Sequence, residues 1–265
     1  MRPASALATL PAMRIRLLLL LVPALLSALP VAAQTAAARV AERRACLELA
    51  VRSPAEGAAR ADAWARQGGG YDARLCRATA DFARGAFRPA AEAFEQLAVV
   101  LGPDDPVLRA GLLARAGQAR ARGKDFEIAE RLYGDALALQ PADADLWIDR
   151  ALLRTETERF WDAIADLDRA VALDPGRPEV WRYRAQAKAA LDLWDPAVAD
   201  VDRALALLPG DPDARLLRGN LFLRLGNVSR AATDWGEVMR IAPGTPAGRA
   251  AAANLQRLQS GPDRR

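Results

Sequence analysis

Two cysteines, a few carboxylate clusters and one glycine run are the features of this sequence whose residue types could do chemistry. The complete lack of histidine limits what that chemistry is. Histidine is the commonest general base, and the usual serine and cysteine nucleophile schemes depend on it. Cys46 and Cys76 are the only cysteines. Two thiolates without an imidazole fall short of the four-ligand zinc shell, so no metal or other cofactor is expected. The pair reads either as a disulfide or as two buried free thiols. A bridge would stabilise by about 3.5 kcal/mol in the chain-entropy model. Asp162, Asp166 and Asp168 resemble an acid and base cluster. Their helical spacing beside Arg159 and Arg169 reads instead as a salt-bridged solvent face. Gly68-Gly69-Gly70 lacks the lysine and strand-to-helix setting of a phosphate loop and reads as a helix stop. Asn227-Val228-Ser229 fits a glycosylation sequon, which chance explains as well. No catalytic residue is nominated, and the chain reads as a non-enzyme.

The elements that position these residues are helical. The 265 residues are 52% hydrophobic and 26% charged, with aromatics at only 6%, and the dominant alanine, leucine and arginine are strong helix formers. The net charge of +4 owes three positive charges to Arg2, Arg14 and Arg16, in a segment that reads as a secretory signal. The segment has Arg14 and Arg16 as its basic region, an apolar run from Leu17 to Leu29, and small residues at Val31-Ala32-Ala33 before Gln34. Cleavage after Ala33 is expected, with Met13 as an alternative start. The other reading, an uncleaved anchor, requires about 20 apolar residues, and this run is shorter and carries Pro23. Removing the three arginines from 37 basic residues leaves 34 against 33 acidic ones, a net charge of +1. That leaves no overall basic field for nucleic acid. Oxidative pairing of the cysteines fits an exported chain, and the composition suggests the periplasm of a Gram-negative bacterium.

Periodicity organises the rest. Pro141, Pro175, Pro209 and Pro243 stand 34 residues apart, each after a helix-like stretch. The same period carries Ala129, Ala163, Ala197 and Ala231, then Tyr133, Leu167, Val201 and Trp235, then Ala136, Ala170, Ala204 and Val238. Spaced three or four apart, these make one apolar stripe on the second helix of each unit. Gly117, Ala151, Ala185 and Gly219 are the small residues of a first helix that lets the second approach. Phe126, Phe160, Trp194 and Val228 open the second. Whole stretches recur, ADLDRAVALDPG as ADVDRALALLPG.

Period, small residues, aromatic positions and closing proline together resemble the tetratricopeptide repeat. Trp147 and Trp181 stand at the family's tryptophan position, with Leu113 in the same place. The last repeat matches best, at Gly219, Phe222, Ala231, Trp235 and Pro243. Arg150, Arg184 and Arg218 stand where leucine is usual, and Ala116 is small. Arginine stems there are expected to cover apolar surface while their heads reach water. The resemblance implies an all-α, right-handed superhelical solenoid of antiparallel helix pairs. Its expected parts are a helical cap over 34–70 and a degenerate repeat over 71–104 carrying Phe87, Ala90 and Phe94. An insertion of about five residues follows around Asp105-Pro106. Four repeats then span 110–143, 144–177, 178–211 and 212–245, before a capping helix and tail over 246–265. Cys46 and Cys76 fall on neighbouring first helices, where a bridge would fasten the cap.

The family's members generally bind a peptide or partner helix in a concave groove lined by first helices. The resemblance places Asp145, Ile148, Leu152, Glu156, Arg182, Gln186, Asn220 and Arg224 on that face. Arg182, Asn220 and Arg224 would hydrogen-bond a backbone or carboxylate, over an apolar shelf of Ile148 and Leu152. The alternative is an ordinary solvated face. The family's lysine and asparagine clamp is not reproduced, since Lys124 and Lys188 are the only lysines. The expected partner is a protein or peptide, with no nucleic acid and no membrane span once the signal is removed. Self-association through the caps or convex face, as in an assembly subunit, is the second reading.

Overall fold

A computed structural model describes residues 31–260, and side chains from residue 36 onward. The expected signal segment, with Met13, lies outside the described residues except for 31–33, which open the first helix. The expected tail lies outside them beyond Ser260. The chain divides into two compact units, residues 1–45 and 46–265. In the first, residues 31–45 are helical. The second contains the repeat array.

Thirteen helices and no strand occur among the described residues: α1 (Val31–Arg52), α2 (Pro54–Arg66), α3 (Gly70–Ala83), α4 (Phe87–Leu101), α5 (Pro106–Arg122), α6 (Phe126–Leu139), α7 (Ala144–Glu156), α8 (Phe160–Leu173), α9 (Pro178–Ala190), α10 (Trp194–Leu207), α11 (Pro212–Arg224), α12 (Val228–Ile241) and α13 (Pro246–Gln259). From α2 onward each helix packs on the next. None of the helices is long and apolar enough to cross a membrane. Starts are written locally. Proline opens α2, α5, α9, α11 and α13, where its missing N–H costs nothing. The side chains of Asp105, Asp143, Asp211, Asn227 and Thr245 accept from the first free backbone N–H groups.

The extra residues around Asp105-Pro106 are mostly helical. α5 has 17 residues where α7, α9 and α11 have 13, and α4 has 15 where α6, α8, α10 and α12 have 14. Four extra residues are close to one full turn, so α5 begins one turn early, at Pro106, and keeps its register downstream.

Packing within a pair follows a size rule readable in sequence. Gly117 meets Tyr133, and a Cβ there would lie 3.3 Å from the ring; at Gly219 it would lie 2.6 Å from Trp235 Nε1. Where the repeat carries Leu167 or Val201, the first helix has Ala151 or Ala185, and each of these pairs is buried. Glycine thus stands opposite the aromatic and alanine opposite the aliphatic, keeping the summed volume near constant. At the far end α13 lays Ala247, Ala251, Leu255 and Leu258 over Trp235 and Val238, closing the last pair.

The two cysteines are bonded, with Cα atoms 5.9 Å apart, joining α1 to α3 within a small cluster of Ala50, Ala58, Ala61 and Ala80. The glycine run ends α2 as expected. Gly68 and Gly70 hold positive φ of 85° and 53°, and a Cβ on Gly69 would lie 2.7 Å from the Trp64 ring.

Candidate functional site

First helices touch not only their own second helix but also the next first helix: α5 with α7, α7 with α9, α9 with α11, and α11 with α13. Their outward sides form one continuous face. These helices carry two systems of polar side chains, one buried against the second helices and structural, the other exposed on that face.

The buried system is a ladder of ion pairs. Arg150, Arg184 and Arg218 reach Asp166, Asp200 and Asp234, each 16 residues on, with both carboxylate oxygens held at 2.6–2.9 Å. Those aspartates are 2%, 4% and 3% exposed. The expectation that the arginine heads reach water is therefore corrected, and so is the reading of Asp166 as part of a solvent face. A buried carboxylate must be fully hydrogen-bonded, and a bidentate guanidinium does this from the facing helix. Second partners extend the ladder. Arg154 and Lys188 also reach Asp166 and Asp200, at 2.8 and 2.7 Å. Arg184 and Arg218 reach back to Asp168 and Asp202 of the preceding repeat, at 2.7 and 2.8 Å. The Asp234 hydrogen bond holds the Arg218 guanidinium above its ordinary value; at Arg184 burial is the largest influence and opposes the same rise, and Asp200 and Asp168 together outweigh it. The repeat formed by α5 and α6 lacks the pair. Ala116 and Leu132 occupy the same two positions and join an apolar cluster.

A second repeated contact fixes the turn between units. Trp147 and Trp181 donate Nε1–H to the carbonyls of Pro141 and Pro175, at 2.9 and 3.0 Å. Arg215, at the same repeat position, donates to Pro209 O at 2.8 Å. The hydrogen bond persists although the aromatic is gone. The guanidinium groups of Arg150 and Arg184 lie 5.0 and 4.7 Å from those tryptophan rings, so each indole links the ladder to the turn.

Of the residues expected to line the groove, several already have partners. Asp145 is exposed but pairs with Arg177 at 2.6 Å, and Glu156 with Lys124 at 2.5 Å. Arg182 lies 3.4 Å from the Asp211 carboxylate with its guanidinium 5.1 Å from the Tyr183 ring. Asn220 Oδ1 accepts from Trp235 Nε1 at 3.1 Å and from Asn254 Nδ2, on α13, at 2.9 Å. Ile148 is a correction: it is 6% exposed and packs among Ala151, Ala163 and Val180, so it supplies core and no shelf. Leu152, 40% exposed, and Gln186 project freely, and the exposed Arg224 lies 5.7 Å from the Trp194 ring. With Gln118 and Asn220, Leu152 and Gln186 form a row at 34-residue spacing, one exposed side chain per first helix.

Asp149 was not singled out by sequence. Burial, with the charges of Asp145 and Asp143 added, pushes its carboxyl up to about 6. On the neighbouring repeat, burial first and then the Asp149 charge push the Tyr133 hydroxyl upward too. Glu130 shows the opposite outcome: burial raises it, but hydrogen bonds from Arg159 and Arg154 outweigh burial and hold it below the ordinary value.

The tetratricopeptide repeat family matches this sequence at residues 114–178 and 180–246. No curated protein sequence matches. Among solved structures, the C-terminal part of a TPR repeat-containing protein from Cytophaga hutchinsonii superposes with a TM-score of 0.67 at 14% identity, covering 82% of this chain and 85% of that one. MamA from Desulfovibrio magneticus, from residue 41 to its end, gives 0.59 at 17% identity, covering 66% and 97%. YrrB, described as a TPR protein with an unusual peptide-binding site, gives 0.55 at 17% identity, covering 72% and 96%.

Proposed function

Because the chain is a tetratricopeptide-repeat protein, a scaffold fold for protein–protein interaction, we propose that it is exported to the periplasm of a Gram-negative bacterium. There it holds a peptide or protein partner against its first-helix face. The observation that carries the groove is the row Gln118, Leu152, Gln186 and Asn220, exposed on successive first helices that touch one another. Amide side chains both donate and accept, which suits the backbone of an extended chain laid across the helices, and Leu152 gives that chain an apolar contact. The description of YrrB as a peptide binder supports the same reading. The role is non-enzymatic, since proteins of this family are generally interaction modules.

A capture experiment from native envelope tests it, comparing wild type with a Leu152→Ala, Gln186→Ala, Arg224→Ala variant. A partner held by the wild type and lost by the variant is expected. The second reading, an assembly subunit using another face, is favoured by Trp161, 65% exposed on α8. A partner that survives the triple variant and is lost with Trp161→Ala would establish that reading instead. Export is tested separately by the amino-terminal sequence of the native protein, expected to begin at Gln34. An intact Met1 or Met13 end overturns it.

A further inference from the structure

The regular contact between successive first helices fails at one place: α3 and α5 do not meet as α5 and α7 do. The extra residue at the end of α4 and the extra turn at the start of α5 precede the stretch of α5 that would face α3. A pocket of about 350 Å³ opens there, on the same side as the exposed row. Its interior is apolar, with the buried Phe94 and partly buried Phe82 next to Thr79. The exposed Val51 and Ala83 flank it. Arg115 and Gln118, three apart on α5 and both exposed, stand at its edge.

Arg115 differs from the arginines around it. Arg77 pairs with Asp62 and Asp81, Arg84 with Asp81, and Arg120 with Glu95 and Asp125. Arg115 has no carboxylate among the described residues, and its guanidinium carbon lies 5.8 Å from the Phe94 ring centroid. A pocket with apolar walls and an unneutralised cation at its edge is complementary to a guest that brings an apolar side chain and an anion. The separation selects the arrangement. In an extended chain, residues two apart point the same way at about 6.7 Å, twice the rise per residue. The guanidinium and the Phe94 ring stand only 5.8 Å apart, so neighbouring side chains on one face of the segment reach both the pocket and Arg115.

We propose that this pocket anchors an internal, extended segment of a partner protein. A phenylalanine or leucine of the segment enters the pocket beside Phe82 and Ala83, over the buried Phe94, and an aspartate or glutamate two residues away pairs with Arg115. This rests on the peptide-groove reading above and adds the motif to it. Gln118 begins the exposed row, so the segment continues from the pocket along Leu152 and Gln186.

The test uses the purified protein and dodecapeptides acetylated and amidated at their ends, with Phe-Ala-Glu in a serine and alanine background. Matched peptides carry Gln for Glu, Ala for Phe, or Glu moved by one position. A further one ends at Phe with a free carboxylate. Fluorescence anisotropy is the readout. Phe-Ala-Glu is expected to bind tightest, with the Gln peptide about tenfold weaker. Arg115→Met should remove that difference, and Ala83→Trp, which fills the pocket from an exposed position, should abolish binding. Equal binding of the Glu and Gln peptides overturns the proposal, as does preference for the free carboxylate over the capped peptide. Binding unchanged in both variants overturns the pocket and leaves the groove reading standing. No binding by any peptide overturns the pocket and counts against peptide binding in the groove as well.

Discussion

Asp149 and Asp234 are both aspartates withdrawn from water, and they differ in what meets them. At Asp149 burial first, and then the charges of Asp145 and Asp143, raise the carboxyl to about 6 from an ordinary 3.8. A carboxyl whose folded value is raised favours the fold below its unfolded value, near pH 4, and that contribution is lost as pH rises through 6. Asp149→Asn should therefore unfold at higher denaturant than wild type at pH 7.5, by about 1 to 3 kcal/mol. The two curves should converge below pH 4; a constant offset would deny the titration. Asp234 faces Arg218, whose guanidinium holds both carboxylate oxygens. Arg218→Ala strands that charge and should cost about 3 to 5 kcal/mol, whereas adding Asp234→Leu should recover most of the loss, because an apolar pair replaces an ion pair without an orphan. The chain already carries this solution at Ala116 and Leu132. Equal destabilisation of the single and double variants in urea unfolding would mean the pair acts through packing alone. The pairing was legible in principle, since arginines 150, 184 and 218 and aspartates 166, 200 and 234 share the period. Neighbours three or four apart describe one helix, and Asp166 chose its partner from the facing helix, so Arg159 and Arg169 misled.

At the scale of elements, the 34-residue period, the closing prolines and the small-residue positions gave helix pairs that the structure reproduces from α5 through α12. Turns and lengths were less legible. Nothing in the composition of Asp105-Pro106 distinguishes a loop insertion from an extra helical turn. An aspartate cap followed by proline suits either, and only burial of Ala110 and Leu112 downstream fixes the register. The turn inside each pair has a residue in the left-handed region, and its type varies: Gly85 and Gly226 at φ 83° and 75°, but Lys124, Glu158 and Asp192 at 67°, 59° and 58°. Glutamate has a Cβ that this conformation crowds, and among the described residues no side-chain hydrogen bond or ion pair holds Glu158 there. Glu158→Gly relieves the crowding and loosens the unfolded chain, and the net should be a gain of about 0.5 to 1 kcal/mol. The reverse change, Gly226→Ala, should lose about 1 kcal/mol. Thermal unfolding of the two variants checks the sign, and a loss at Glu158→Gly would mean the turn is not strained.

From α2 onward contacts are local: each helix meets the next, and from α5 onward each first helix also meets the next first helix. Stability in such an array is a sum over neighbouring pairs, so a change at one end need not weaken the other. The disulfide makes that testable. Cys46 and Cys76 are 30 residues apart, and loss of the bridge removes about 3.5 kcal/mol in the chain-entropy account. The cluster it crosses is built mainly from alanines 50, 58, 61 and 80, which bury little apolar area each and supply little else to hold α1 on α3. The far end rests instead on Trp235 under α13 and on the Arg218 to Asp234 pair. A Cys46→Ala, Cys76→Ala variant should lose amide protection in α2 and α3 by more than tenfold, while α9 to α12 keep wild-type exchange. Sequence supplied the repeat period and, as one of two readings of the cysteines, the bridge on which this expectation stands. It could not say whether the ladder of arginines, running across repeats through Asp168 and Asp202, couples the array more tightly than neighbour contacts do. Exchange that rises equally in every helix would mean that it does, and that the array unfolds as one cooperative body.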